Sequence, residues 1–327
     1  MASVICSTDV VGRLTSRLDL ASVPTSFGYR KSVAKRLQLR PLGKMSSSSP
    51  KQELLPVIQV ETTIQNKHGE RLSGVLDDTG STELVILCHG FRSSKSSSTI
   101  ASLADAITKE GISVFRFDFA GNGDSEGSFQ YGNYLREADD LRAVIEHFSG
   151  GKQAVITILG HSKGGDVVLL YASKYSDVPT VINVSGRYNL EKGVEERLGK
   201  DFMQNIQKDG FIDVIGKKGE VQYQYRVTEE SLMERLGTDM HAACLSIDKC
   251  CRVLSVHGSL DETVPVEDAY EFSKIIPNHD LHVIEGANHG FSKHKIELAD
   301  AVLKFIKAYI QQEKENLMNT QVSALQI

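Results

Sequence analysis

The sequence has 327 residues, of which 40% are hydrophobic, so it can form one large domain or two small ones. Its formal net charge of -5 offers no basic excess for neutralising phosphates, which argues against a nucleic-acid-binding protein. The apolar runs fall short of the roughly 18 residues that a membrane-spanning helix needs, so we predict no integral membrane segment. The five cysteines form no Cys-x-x-Cys pair, which gives little support to a metal site, and we predict no cofactor.

The first 48 residues differ in composition from the rest of the chain. They contain eight Lys or Arg residues, two Asp residues and no Glu, and they are rich in serine. This composition is typical of an organellar transit peptide, whereas a secretory signal needs a compact apolar stretch. We therefore predict a leader over residues 1–48 that directs the protein to the chloroplast stroma. The alternative is a disordered tail on a cytoplasmic protein, with Met45 as a second start.

From Pro56 onward, predicted strands and helices alternate. Runs of apolar, β-branched residues predict strands, and residues such as Leu135, Ala138 and Leu141 have the spacing of a helix. Apolar strands that alternate with helices indicate an α/β fold with a mostly parallel central sheet flanked by helices. The predicted strands are 57–64, 71–76, 84–88, 112–119, 154–160, 178–184, 252–256 and 281–284, and the predicted helices are 98–109, 133–148, the stretch after Gly165, 266–276 and 296–311.

Residues 187–245 interrupt this alternation. The segment is charged, with helix-like ends, and the alternating residues 221–227 beside the glycines of 216–219 predict a hairpin. We interpret the segment as a small cap inserted into one domain that spans residues 49–315. Residues 316–327 are predicted to form a flexible tail.

The segment AVITILGHSKGGDVVLLYA, residues 154–172, contains the motif Gly-x-Ser-x-Gly between a predicted strand and a predicted helix. A phosphate-binding P-loop would need a lysine where Asp166 stands, and a carboxylate there would repel phosphate. In contrast, a sharp strand-to-helix turn can hold a serine in a strained conformation and lift its hydroxyl clear of the sheet. The setting therefore predicts that Ser162 is a nucleophile, and a purely structural glycine turn is the alternative.

A serine at its free pKa is a weak nucleophile, so a base and an orienting acid are required. Asp261 and His289 each follow a late predicted strand, in the order in which this arrangement places its acid and base. Both lie at carboxyl ends of strands, where open α/β sheets place their sites. We predict them as acid and base, with Glu262 as the rival acid, and we interpret the remaining nearby histidines as structural: His161, His257 and His282.

The negative charge that develops on the substrate oxygen needs hydrogen-bond donors. We predict that these are the backbone N–H groups of Lys163, which follows the nucleophile, and of Phe91, in the loop after the strand 84–88. The Lys163 side chain is predicted to be solvated, and the alternative is that it raises the positive potential near the oxyanion. Phe91 and three aromatic residues of the insertion are candidate substrate-binding residues that suit an apolar or aromatic acyl group: Phe211, Tyr223 and Tyr225.

Four segments, FDFAGNGDSEGSF, LGHSKGG, VHGSLDETVP and IEGANHGFS, resemble the α/β-hydrolase superfamily, and the likeness covers about residues 55–312. They are most similar to the cinnamoyl (feruloyl) esterases, with monoacylglycerol lipases as near relatives. The resemblance implies an α/β-hydrolase fold whose small insertion after the sixth strand covers the site. It also implies a triad of Ser162, Asp261 and His289 with oxyanion donors at Phe91 and Lys163, although the group often has glutamine in place of Lys163.

We therefore predict a serine hydrolase that needs no cofactor and cleaves a small-molecule carboxylic ester through an acyl-enzyme. A small-molecule receptor on the hydrolase fold, with the triad kept for a slow or single-turnover reaction, is the rival from a different class. Acylglycerol lipase, thioesterase or acyltransferase activity on the same triad is also compatible with the sequence. The sequence specifies neither the acid and alcohol parts of the substrate nor the oligomeric state.

Overall fold

The computed structural model describes residues 56–218 and 221–324, so the predicted leader lies outside the described residues. Strands and helices alternate along the described chain. The strands are β1 (Ile58–Gln65), β2 (Arg71–Asp78), β3 (Glu83–Cys88), β4 (Ser113–Phe117), β5 (Ala154–His161), β6 (Thr180–Val184), β7 (Phe211–Lys218), β8 (Val221–Thr228), β9 (Arg252–Gly258) and β10 (His279–Ile284). The helices are α1 (Ser98–Thr108), α2 (Tyr134–Phe148), α3 (Lys163–Lys174), α4 (Val194–Leu198), α5 (Phe202–Asp209), α6 (Glu229–Gly237), α7 (Met240–Leu245), α8 (Glu267–Ile275) and α9 (Lys295–Ala324).

An eight-stranded sheet with the order β1-β2-β4-β3-β5-β6-β9-β10 forms the centre of the described structure. The β1–β2 and β2–β4 pairs are antiparallel, and every other neighbouring pair in this sheet is parallel. The prediction of a mostly parallel α/β sheet is confirmed. Because the parallel strands end at the same edge, the loops after β3, β5, β9 and β10 come together there.

Both faces of the sheet are buried beneath helices. Successive side chains of β3 point to opposite faces: Ile86 belongs to one apolar cluster and Val85 to the other. The first cluster contains Leu141 of α2 and Val168 of α3, and the second contains Val302 of α9. This two-sided burial explains why the strands are apolar along their whole length.

The insertion (residues 187–245) lies between β6 and β9, and its β7–β8 hairpin forms a separate two-stranded antiparallel sheet. The predicted hairpin turn began at Gly216, but β7 continues to Lys218, and residues 219 and 220 lie outside the described residues. The last helix of the insertion, α7, packs into the core on one face of the central sheet through Met240 and Cys244. The part of the insertion that packs in a separate apolar cluster, which it shares with Tyr131 and Phe91, therefore ends before α7.

The carboxyl-terminal helix is longer than predicted. The sequence placed its end at 311 and a flexible tail over 316–327, whereas α9 continues to Ala324. Residues 311–323 are all exposed, so no buried apolar face holds them. This part is rich in strong helix formers and contains an i,i+4 hydrogen bond from Gln311 to Glu315 (2.7 Å), which explains the extra turns.

Across the described ranges, none of the helices combines the length and the apolar character that a membrane crossing requires. The same part of the chain contains no group of three or more His, Cys, Asp or Glu side chains that could hold a metal ion.

Candidate active site

Ser162 lies between β5 and α3 with backbone angles of φ 57° and ψ -123°, a conformation that L-residues rarely adopt. The turn is tight: a Cβ atom added at Gly160 would lie 1.9 Å from the carbonyl oxygen of Gly164. The Ser162 N–H donates to the carbonyl of Val184 on β6 (2.8 Å), which ties the turn to the neighbouring strand. The hydroxyl is therefore presented at the carboxyl edge of the sheet from a rigid, strained turn.

The structure brings Ser162, His289 and Asp261 together in one hydrogen-bonded series. The Nε2 atom of His289 lies 2.9 Å from Ser162 Oγ, and Nδ1 lies 2.7 Å from Asp261 Oδ2. Because an ionised carboxylate only accepts hydrogen bonds, Nδ1 carries the proton and Nε2 accepts from the serine hydroxyl. The rival acid, Glu262, instead accepts the backbone N–H of His289 (3.3 Å) and does not contact its ring.

The carboxylate of Asp261 is held in its ionised form by its surroundings. Burial alone would raise its pKa, but hydrogen bonds from His257 and His289, and the N–H of Val264 (2.8 Å), outweigh burial. The pKa of Asp261 therefore lies well below its usual range. The Nε2–H of His257 donates to the carbonyl of Val264 (2.9 Å) and lies 3.3 Å from Asp261 Oδ2. His257, which the sequence indicated only as structural, is thus a second histidine beside the acid.

His161 also contacts the site. Its Nε2–H donates to the backbone carbonyl of His289 (2.9 Å), and the two ring centroids lie 5.1 Å apart. Burial lowers the pKa of His161 to about 4, so the ring is neutral at physiological pH. The structural interpretation of this residue was incomplete, because His161 fixes the backbone of His289. The signal was its place beside Ser162 at the end of β5, where a side chain reaches the same edge.

The loop after β3 brings the backbone at Gly90 close to Ser162. A Cβ atom added at Gly90 would lie 3.0 Å from Ser162 Cβ. His89 accepts the N–H of Phe119 at Nε2 (3.1 Å), so its Nδ1 carries the proton and donates to the carbonyl of Gly90 (2.8 Å). That carbonyl and the N–H of Phe91 belong to one planar peptide group, so His89 fixes the direction of the Phe91 N–H.

The second predicted donor is the N–H of Lys163 at the start of α3. Neither this N–H nor that of Phe91 donates to a protein acceptor within residues 56–218 and 221–324. A helix N-terminus and a fixed peptide thus leave two N–H groups without a protein acceptor in the described residues, one directly after Ser162 and one directly after Gly90. Such a pair is what an oxyanion requires.

The prediction of a solvated Lys163 side chain is wrong. Its Nζ atom donates to Glu137 Oε1 of α2 (2.7 Å), and the two side chains are only 4% and 5% exposed. The ammonium also lies 4.9 Å from the ring centroid of Tyr134. Burial raises the pKa of Glu137, although Lys163 acts in the opposite direction. The close packing of α2 against α3 excludes water from this pair.

A small cavity of about 50 Å³ opens beside Ser162. Of the four predicted substrate-binding residues, only Phe91 lines it. Tyr225 lies behind Phe91, with ring centroids 5.6 Å apart, and Tyr223 stacks on Tyr225 at 6.3 Å. Phe211 lies in a different hollow, 37% exposed and covered by the Arg226 guanidinium at 3.6 Å. The hairpin turns Tyr225 towards Phe91 and an apolar cluster, so Tyr223, Tyr225 and Phe211 do not line this cavity.

The mixed sheet, the strained serine turn and the Ser162–His289–Asp261 series together define the class: the chain has the α/β-hydrolase fold. Residues 80–209 match the family model Hydrolase_4, described as serine aminopeptidase, S33.

Within that class, the chain is similar to a monoglyceride lipase homolog of Monkeypox virus, with 25% identity over 253 residues that cover 69% of this chain and 88% of that protein. An uncharacterized protein of Saccharomyces cerevisiae is 25% identical over 232 residues, which cover 64% of this chain and 69% of that protein. Among solved structures, Est1E from Butyrivibrio proteoclasticus with ferulic acid bound superposes with a TM-score of 0.67 at 24% identity. That match covers 76% of this chain and 99% of Est1E.

Proposed function

We propose that the chain is a serine hydrolase that cleaves carboxylic esters through an acyl-enzyme. The observation that carries the proposal is the position of His289, whose ring bonds Ser162 at 2.9 Å and Asp261 at 2.7 Å. His289 takes the hydroxyl proton as Ser162 Oγ attacks the ester carbonyl. Asp261 stabilises the imidazolium that forms and keeps the ring in the tautomer that accepts at Nε2.

The remaining steps use the same groups. The backbone N–H groups of Phe91 and Lys163 stabilise the oxyanion of the tetrahedral intermediate. His289 then gives its proton to the leaving alcohol, which leaves the acyl group on Ser162. Water attacks that acyl group with His289 as base, and the acid is released.

An ester substrate fits the site better than a peptide amino terminus does. The matched family model is described as serine aminopeptidase, and an aminopeptidase must accept an ammonium group beside its nucleophile. In this chain the cavity wall beside Ser162 includes Arg187 and Arg197, and Asp166 is its single acidic residue. That wall would repel an ammonium group. The names of two similar proteins, a monoglyceride lipase homolog and a structure with bound ferulic acid, also point towards ester chemistry.

The acyl group that we propose is small. The cavity of about 50 Å³ is well below the roughly 300 Å³ at which pockets for larger ligands begin. The aromatic acyl group predicted from Phe211, Tyr223 and Tyr225 loses its basis, because none of the three lines the cavity. We propose that the insertion acts as the cap of the site, since its Tyr225 packs against Phe91.

Active-site labelling and turnover test this proposal. A fluorophosphonate probe should label the wild type but not Ser162→Ala. Ser185→Ala is the matched control, because Ser185 is another buried serine with positive φ, at the end of β6, and should leave labelling intact. Turnover of many equivalents of p-nitrophenyl acetate supports an enzyme. Release of a single equivalent supports a receptor, and labelling that survives Ser162→Ala overturns the assignment.

A further inference from the structure

The cavity beside Ser162 has a strongly positive wall. Among its lining residues five are cationic and one, Asp166, is acidic. The chain as a whole has a net charge of -5, so the positive excess is local. We refer to the five cations together as the cationic pocket: Lys163, Arg187, Lys192, Arg197 and Arg235.

Two of these cations have a carboxylate partner. Lys163 is paired with Glu137 at 2.7 Å, inside the protein. Lys192 lies 4.0 Å from Asp268, at the limit of an ion pair, and its own side chain is 57% exposed. Lys163 is therefore compensated, while Lys192 keeps most of its charge available at the rim of the cavity.

The three arginines have no carboxylate within ion-pair distance in the part of the chain that the structure describes. Arg187 donates to the carbonyl of Thr263, in the loop that carries Asp261. Arg235 is buried and donates to the carbonyl of Leu190 (2.9 Å) and the hydroxyl of Tyr134 (2.5 Å).

The third arginine, Arg197, is exposed and lies 4.7 Å from the ring centroid of Phe91. Neutral partners and aromatic faces thus orient all three guanidinium groups without cancelling their charge.

Asp166 does not neutralise this wall. Its Oδ1 accepts the backbone N–H of Arg187 (2.7 Å), and the residue is only 1% exposed. Burial raises the pKa of Asp166 well above its usual range, although Arg187 and Arg235 act in the opposite direction. Cationic side chains therefore outnumber acidic ones along the wall of the cavity, and low-dielectric walls focus such a charge towards the opening.

We propose that the cationic pocket selects esters that carry a carboxylate on their acyl or alcohol part, an inference that rests on the proposed ester hydrolysis at Ser162. The planar guanidinium groups match a carboxylate in a bidentate geometry. The small volume admits a short anionic group and excludes a long aliphatic chain. Arg197 and Lys192 at the rim attract the anion, and Arg187 lies deeper, beside the loop of Asp261.

Matched pairs of esters test this inference. In the acyl arm, monoethyl glutarate is compared with ethyl pentanoate, in which a methyl group replaces the carboxylate. In the alcohol arm, 4-acetoxybenzoate is compared with its methyl ester. Proton release is followed by pH-stat titration. In at least one arm kcat/KM should favour the charged ester by about tenfold, and about 0.5 M NaCl should reduce that preference several-fold.

Variants assign the preference to the cationic pocket. The double variant Lys192→Ala, Arg197→Ala should reduce the charged-to-neutral ratio of kcat/KM by about tenfold, mainly through KM of the charged ester. The control is Arg226→Ala, because Arg226 is an exposed arginine of the insertion that is paired with Asp213 (2.8 Å) and lies outside the pocket. It should leave the ratio unchanged.

Three results would overturn the inference. If p-nitrophenyl acetate is turned over at Ser162 and neither charged ester is preferred, the inference fails while the proposed function stands. If the double variant lowers kcat on charged and neutral esters equally, the cations serve the oxyanion and do not select the substrate. If the wild type turns over no ester at all, the proposed function fails and the inference fails with it.

Discussion

The two sides of the cavity beside Ser162 are built in different ways. On the sheet side, Ser162, His289 and Asp261 stand at strand ends, and each is fixed by more than one hydrogen bond. On the side of the insertion, Lys192 and Arg197 are exposed cations on irregular or short elements. In our proposal, the sheet fixes the geometry of the reaction, whereas the insertion sets the charge that the substrate meets. Substitutions on each side test that division.

Replacement of the triad acid should have the largest effect. Asp261→Asn should lower kcat by about 10⁴-fold, because an amide cannot hold His289 in the tautomer that accepts the serine proton. Glu262→Gln is the control, since Glu262 contacts only the backbone N–H of His289 and should change kcat little. Steady-state kinetics on p-nitrophenyl acetate measures both. A greater loss for Glu262→Gln would show that the acid has been assigned to the wrong residue.

The buried pair below the serine turn is expected to dominate stability on the sheet side. Glu137→Gln leaves the Lys163 ammonium buried without a carboxylate, and such a loss costs about 3–5 kcal/mol. The double change Lys163→Met, Glu137→Leu should recover most of that free energy of unfolding, because no unpaired charge remains. Urea denaturation measures both variants.

A surface pair provides the comparison for this prediction. Asp105 of α1 and Lys109, the residue after the helix, are 2.6 Å apart, but both side chains are largely exposed. Asp105→Asn should cost less than about 1 kcal/mol. If Glu137→Gln costs no more than Asp105→Asn, then the buried pair does not hold α2 against α3.

A substitution of His89 tests the sheet side of the cavity through its effect on kcat and KM. His89→Ala frees the peptide that carries the Phe91 N–H, so kcat should fall by about tenfold to a hundredfold with KM little changed. A fall in kcat as large as that of Asp261→Asn would mean that His89 does more than orient this peptide. The variant should be compared at equal folded fraction, since His89 is buried.

The same residue predicts a pH dependence of stability. Burial lowers the pKa of His89 below its ordinary value of 6.5. A group whose pKa is lowered on folding contributes stability above its unfolded pKa, and this contribution is lost as the pH falls. The free energy of unfolding of the wild type should therefore decrease more steeply below about pH 6.5 than that of His89→Ala. Parallel curves from urea titrations at several pH values would contradict the assignment of a neutral His89.

The smallest effects are expected from the aromatic residues of the hairpin. Tyr225→Ala removes a ring that packs behind Phe91, so KM should rise several-fold with kcat nearly constant. Phe211→Ala alters only the outer hollow and should leave both constants unchanged. Kinetics on acetyl and hexanoyl p-nitrophenyl esters measures the two variants. If both variants change KM equally, Phe211 would also contact the substrate, which would contradict the division between the two sides.

The sheet side was predictable from the sequence because its signals are local. The glycines around Ser162 and the apolar runs before Asp261 and His289 indicate the strand ends on which these residues stand. The parallel topology then requires those ends to meet at one edge, so the proximity of Ser162, Asp261 and His289 could be predicted from chain order.

The partners of the site were not predictable in the same way, because they come from packing between distant elements. Lys163 and Glu137 are 26 residues apart, and nothing local indicates that α2 packs on α3 there. The helical spacing also included Leu135 in the apolar stripe of α2, whereas Leu135 is 54% exposed. The buried face of α2 instead includes Tyr134 and Glu137. Glu137 is charged, so an apolar pattern could not have indicated that it is buried.

The insertion shows the same limit. Alternation at Tyr223 and Tyr225 predicted the hairpin, but a period of two does not say which face meets the site. The five cations of the cavity wall come from four separate segments of the chain: α3, the loop before α4, α4 and α6. Only the folded chain places them together.

The close approach of Gly90 to Ser162 has an evolutionary consequence. The backbone at Gly90 is outside the left-handed region, so alanine could adopt its conformation. The added methyl group, however, would lie 3.0 Å from Ser162 Cβ and 3.6 Å from its hydroxyl oxygen. Ser162, His289 and Asp261 would all remain in the sequence. We therefore expect that a related sequence with alanine at position 90 would bind a ligand but turn it over slowly. In such a sequence the presence of all three residues would reflect descent from an enzyme and would not establish activity.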